Sequence, residues 1–257
     1  MNKMKISLIQ SDLTWEDRNV NIISFEKKIL DSDKSDIFVL PEMFTTGFTN
    51  NVYNCYETWN GEVISWMKEL SGKINSAICG SMIFKEFDKF YNRFIFVEPS
   101  GKIIHYDKRH LFGIGGETDI FSKGDNKVIV EYKTFRILLL TCYDLRFPVW
   151  SRNADNYDIV IYVANWPESR RYAWDILLKA RAIENQCYVA GVNRVGVDGK
   201  NLKYNGGTYI IDPLGEIINS AKDNKNEVIS AIVDKNRINE IRTAFPFLKD
   251  KDSFEII

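Results

Sequence analysis

The chain has 257 residues, 45% of them hydrophobic and 27% charged, and a formal net charge of −1. This is the composition of a globular protein with a sizeable core, and the length admits one large domain or two small ones. With no long block of one charge sign, nothing favours nucleic acid or an anionic membrane as a partner.

The chain starts MNKMKISLIQSD, where Lys5 interrupts a short apolar stretch, so no secretory signal is expected; no later run approaches the ~18 apolar residues of a membrane span. Residues 5–10 read as a strand, and 17–31, with Val20, Ile23, Phe25, Ile29 and Leu30, as a helix. The apolar run DIFVL (36–40) suits a strand buried on both faces. Residues 61–73 have helical spacing with a glycine stop, 76–84 form a strand, and 93–107 form two strands around a Pro-Ser-Gly turn. The second half repeats this order: strand 135–141, a short helix after Pro148, strand 157–165, helix 170–186, strand 187–195, and two strands around a proline turn over 208–220.

Tyr91-Asn92 recurs as Tyr204-Asn205, and Glu98-Pro99-Ser100-Gly101 as Asp212-Pro213-Leu214-Gly215, at nearly the same offset. Shared turn residues alone mean little. Inside the same element order they point to internal duplication. With no Gly/Ser/Pro-rich linker between the halves, residues 1–257 read as a single α/β domain of two related sheets with helices on their outer faces.

Sites in α/β sheets form beyond the carboxyl ends of strands. Glu42 follows DIFVLP, Lys108 follows KIIHYD, Cys142 follows RILLLT, and Asn165-Trp166-Pro167 follows DIVIYVA. Singly, each has a bland reading: a capping carboxylate, a solvated lysine, a small core thiol. Together, a thiol, a carboxylate and an ammonium are what cysteine-based amide hydrolysis needs. Glu42 would take the thiol proton and return it to the leaving amine. Lys108 and the Tyr143 N–H would stabilise the oxyanion. Only two histidines, His105 and His110, are available, so a base other than histidine is expected and a multi-histidine zinc site is not. Four spaced cysteines without a CxxC pair fit a cytoplasmic protein with reduced thiols; Cys55, Cys79 and Cys187 read as structural.

LPEMF (40–44), YDKRHLF (106–112) with GGE (115–117), LLLTCYDLRFP (138–148), NWP (165–167) and KARAIENQCYVAGVNRVG (179–196) resemble the nitrilase superfamily of carbon–nitrogen hydrolases over essentially the whole chain. The resemblance implies a four-layer α-β-β-α sandwich with internal pseudo-two-fold symmetry. It also implies a Glu–Lys–Cys triad at Glu42, Lys108 and Cys142, a further glutamate at Glu117, homodimerisation, and neither cofactor nor metal. MFTTGF (43–48), KRHLFGIGGE (108–117) and the run 165–189 look most like omega-amidases, which convert 2-oxoglutaramate and 2-oxosuccinamate to the 2-oxo acid and ammonia. Another amidase, a carbamoylase, a nitrilase or a catalytically silent scaffold on the same fold are the alternatives.

Around this set, Asp144 and Arg146 are expected to pair and brace the turn after Cys142, with carboxylate binding as the other role for Arg146. Arg170 and Arg171 are candidate carboxylate ligands. Phe44, Phe48, Phe112 and Trp166 are candidate pocket walls. His110 is expected to orient a neighbour by hydrogen bonding, and Arg181 and Glu184 to pair within the chain or across a dimer contact.

Overall fold

The computed structural model describes residues 2–256. In chain order the first half comprises β1 (Lys3–Gln10), α1 (Arg18–Leu30), β2 (Ile37–Val39), the single turn α2 (Val52–Cys55), α3 (Glu62–Ile74), β3 (Ala77–Glu86), β4 (Lys89–Val97) and β5 (Ile103–Asp107). The second half comprises β6 (Ile129–Tyr132), β7 (Phe135–Thr141), the single turn α4 (Pro148–Ser151), β8 (Ile159–Ala164), α5 (Arg171–Asn185), β9 (Tyr188–Asn193), β10 (Val195–Val197), β11 (Lys203–Asn205), β12 (Tyr209–Ile211) and β13 (Ile217–Ser220). The chain then continues through β14 (Glu227–Asp234) and α6 (Lys235–Ala244).

Two six-stranded sheets result, in the orders β14-β1-β2-β3-β4-β5 and β6-β7-β8-β9-β12-β13. They match strand for strand, with parallel pairs in the middle and antiparallel strands at both ends. The alternation of side chains shows the layering. Ile37, Val39, Cys79, Phe94 and Phe96 join a core shared with the second sheet, whereas Phe38, Ile78, Ile95 and Val97 pack with Phe25 of α1 and with Val63, Ile64 and Met67 of α3. Trp174, Leu178 and Ala182 of α5 cover the second sheet. The architecture is the expected α-β-β-α sandwich with two related sheets.

Several boundaries differ from the sequence reading. Helix α1 is capped by Asp17, whose carboxylate accepts from the Val20 N–H at 3.0 Å, but it buries Asn21, Ile22, Phe25 and Ile29 while Val20, Ile23 and Leu30 stay exposed. Helix α3 runs through Gly72 and stops instead at Asn75, left-handed with φ 52°. Strands β6, β10, β11 and β14 and helix α6 were not anticipated. Strand β14 pairs antiparallel with β1, from Lys3↔Asp234 to Gln10↔Glu227, and so ties the end of the chain to its beginning. No helix among the described residues is long and apolar enough to cross a membrane.

Candidate active site

Glu42, Lys108 and Cys142 follow β2, β5 and β7, so the first two come from one sheet and the third from the other. Cys142 opens a 3-10 turn (Cys142–Arg146) and has φ 44°, a left-handed conformation rare for a residue with a Cβ. Such backbone strain persists only where surrounding contacts enforce it. Here Asp144 does so, its Oδ2 accepting from the Thr141 N–H at 3.0 Å and the Tyr106 hydroxyl at 2.7 Å, and its Oδ1 from the His110 N–H at 3.0 Å. The His110 ring nitrogen Nδ1 lies 2.8 Å from the same oxygen, and the ring stacks on Phe147 at 3.8 Å. Asp144 thereby joins the segment after Lys108 to the turn holding Cys142.

The expected Asp144–Arg146 pair does not form. The buried Asp144 faces inward to Tyr106 and His110, while Arg146 turns outward and lies over the Trp166 ring at 4.8 Å. Arg181 and Glu184 do pair, at 2.8 Å, and Arg181 also donates to the Leu145 carbonyl at 2.6 Å.

Glu42, Lys108 and Glu117 are fully buried together. The Lys108 ammonium donates to Glu42 Oε1 at 2.9 Å and to Glu117 Oε2 at 2.7 Å. Burial opposes its charge, yet Glu117 and Glu42 hold it above the ordinary lysine range. Burial raises the Cys142 thiol well above its ordinary range; Glu42 adds to this, and Lys108 offsets only part. Glu117 also accepts from the Phe112 N–H at 2.6 Å, which ties the 112–117 loop to the lysine.

Two amides complete this cluster: Asn92, which sequence reasoning missed, and Asn165, which it marked at a strand end without giving it a role. Asn92 donates from Nδ2 to Glu42 Oε1 at 2.8 Å and to Glu117 Oε1 at 3.0 Å. The Asn165 N–H reaches Glu42 Oε2 at 2.7 Å, and its Nδ2 reaches the Glu42 carbonyl at 2.6 Å. The only signal for Asn92 was its place in the repeated Tyr-Asn pair.

A cavity of about 220 Å³ opens onto Cys142. Its lining includes Phe48, Phe112, Tyr143, Arg146, Asn165, Trp166 and Arg170. The β10–β11 hairpin adds Asp198, Lys200, Leu202 and Tyr204, none of them anticipated. Asp198 shapes this wall by accepting from the N–H groups of Lys200 (2.8 Å) and Leu202 (2.9 Å) and from the Tyr204 hydroxyl (2.9 Å).

Two sequence candidates lie elsewhere. Phe44 is fully buried between the first sheet and its helices, 5.7 Å from the Phe25 ring and 6.2 Å from that of Trp66, and is core rather than pocket wall. Arg171 turns away from the cavity to Asp175 (2.7 Å), the Tyr209 hydroxyl (2.6 Å) and Asp223 (3.1 Å), so it braces the start of α5.

Residues 5–243 match the family model described as carbon-nitrogen hydrolase. The chain is 43% identical over 256 residues to omega-amidase YafV of Escherichia coli (strain K12), covering 100% of both chains. It is 32% identical over 255 residues to the 2-oxoglutaramate amidase of Bacillus subtilis (strain 168), covering 96% of this chain and 97% of that one. Among solved structures, XC1258 from Xanthomonas campestris, a CN-hydrolase superfamily protein with an arsenic adduct in its active site, superposes with a TM-score of 0.97 at 37% identity over 100% of both chains. Fold, strand-end cluster and full-length similarity agree, and the chain belongs to the carbon–nitrogen hydrolase family.

Proposed function

We propose that the protein is an omega-amidase, hydrolysing the terminal amide of a small 2-oxo acid amide such as 2-oxoglutaramate or 2-oxosuccinamate. The observation that carries this reading is the charge around the cavity. Arg146, Arg170 and Lys200 line it together with Cys142; Arg146 and Arg170 lie over the Trp166 and Phe112 rings, and among the described residues none of the three has an ion-pair partner. A substrate with an amide at one end and a carboxylate at the other answers both. At about 220 Å³ the cavity lies below the roughly 300–1,000 Å³ of pockets for drug-sized ligands, as suits a short substrate. The similarity to proteins named omega-amidase and 2-oxoglutaramate amidase supports the same assignment.

In this mechanism Glu42 accepts the Cys142 proton as sulfur attacks the amide carbon. Lys108 Nζ and the Tyr143 N–H, one of the amides a helical turn leaves unpaired, stabilise the oxyanion. Glu42 then protonates the leaving nitrogen, releasing ammonia and leaving a thioester on Cys142. It next takes a proton from water, which attacks the thioester and frees the 2-oxo acid, and the proton returns to the thiol. Glu117 keeps Lys108 and the 112–117 loop in place.

The purified protein is expected to release ammonia from 2-oxoglutaramate, and Cys142→Ala to release none. Background-level release by the unaltered protein would sink the substrate assignment, and carbon dioxide accompanying ammonia from a carbamoyl amino acid would mark a carbamoylase instead. The proposal includes a cytoplasmic, cofactor-free homodimer. Tyr172, Ile176 and Ile183 are exposed on α5 and offer an apolar contact surface, and light scattering reads the assembly directly.

A further inference from the structure

We infer that Asn92 is a positioning residue of the reaction, its amide fixing the carboxylates of Glu42 and Glu117 around Lys108. It touches all three partners. Its Nδ2 donates to Glu42 at 2.8 Å and to Glu117 at 3.0 Å, and its backbone carbonyl accepts from the Lys108 N–H at 3.0 Å. Its side chain is fully buried in the middle of β4, opposite Ile83 on β3.

The orientation of the amide argues for function. Both amino hydrogens go to carboxylates, while Oδ1 is buried without a hydrogen-bond partner among the described residues. An unsatisfied carbonyl costs stability, and an apolar side chain of the same shape would avoid that cost. Packing alone therefore does not account for an asparagine here. Two buried like charges sharing a single lysine do need a second donor between them.

The donors also direct the base. A carboxylate offers about four lone-pair sites. On Glu42, Lys108 and Asn92 occupy Oε1, and the Asn165 N–H occupies one site of Oε2. The site left on Oε2 is the one for the Cys142 proton. Without Asn92 the Glu42 carboxylate is free to rotate, and its free lone pair is no longer held toward sulfur.

The test compares Asn92→Leu, which keeps the branching and heavy-atom count and removes the donor, with Asn92→Asp, which puts a third carboxylate in its place. Asn92→Ser, retaining one O–H donor, is the milder third variant. Leu is expected to lower kcat for ammonia release about 100-fold with KM little changed, as for a catalytic group displaced by about 1 Å. Asp should lose more and Ser less. The rate of Cys142 alkylation by iodoacetamide should follow the same order. The inference rests on the amidase reading only for its substrate, and alkylation needs none, so failure of one is distinguishable from failure of the other. In a Glu117→Gln background the Asn92→Leu penalty should shrink, since one of the two carboxylates it holds is gone. Equal alkylation rates in all variants, a loss confined to KM, or full additivity with Glu117→Gln would overturn the assignment.

Discussion

In the first sheet β3 and β4 run as one uninterrupted hairpin, from Ile78↔Val97 to Glu86↔Lys89. In the second sheet the equivalent hairpin is broken. Strand β9 gives way to β10 at Arg194, and β11 to β12 across Gly206-Gly207, although the pairing Asn92↔Ile83 has its counterpart in Asn205↔Val195. The breaks have local causes. Gly206 has φ 91°, and a Cβ there would stand 2.3 Å from Gln10 Oε1. Arg194 is fully buried beneath the Tyr204 ring at 4.7 Å. The unbroken hairpin delivers Asn92 to the carboxylates, whereas the broken one lends its tip to the cavity wall through Lys200, Leu202 and Tyr204. On the proposed mechanism the two related halves divide the labour: the first supplies the base and ammonium, the second the nucleophile and much of the wall.

Four perturbations probe this division. Glu42→Gln, on the first sheet, should lower kcat by about 100- to 10,000-fold, the range for losing a general base, with the cavity and KM largely intact. Alkaline pH should act on both halves, measured as Tm against pH. The unfolded chain releases its thiol protons near pH 8.5 and its lysine protons near pH 10.4. The folded chain holds those of Cys142, Cys79 and Lys108 beyond these values. Rising pH therefore favours the unfolded state, and the stability present below these unfolded-state values is lost above them; Cys142→Ala should recover part of it. Lys200→Ala, on the broken hairpin, should raise KM for 2-oxoglutaramate about tenfold, equivalent to about 1.4 kcal/mol, and leave kcat largely unchanged. Arg171→Ala should change KM not at all and stability by no more than about 1 kcal/mol, as for a partly exposed ion pair. A rise in KM there would return Arg171 to the substrate site.

Glu42, Cys142 and Asn165 were legible because each ends or closely follows a continuous apolar run, and such runs mark their own termini; Lys108 follows the mixed strand IIHYD and was legible only as the first residue after it. Strand β14 was not, because its partner β1 lies at the other end of the chain and no local pattern announces that pairing. Arg170 and Arg171 differ by one position at a helix start, where a single step turns the side chain by more than a quarter of a circle; composition cannot say which faces the cavity. Phe44 and Phe112 look equally apt as walls; both lie in loops, and only the tertiary packing, Phe44 on Phe25 and Trp66 and Phe112 on Tyr143, separates core from pocket. Asn92 stayed hidden, and Asn165 was marked by its strand end alone without a role, because an amide in or beside a strand carries no charge or spacing signal until its acceptors converge on it.

Because Glu42 and Lys108 follow strands of one sheet and Cys142 a strand of the other, the proposed reacting cluster does not exist in either half alone. The first sheet, moreover, is complete only when β14, near the end of the chain, has joined β1. Pairings of such long sequence separation form slowly. During refolding, activity should therefore lag behind secondary structure, and in synthesis on the ribosome the enzyme should stay silent until β14 has emerged.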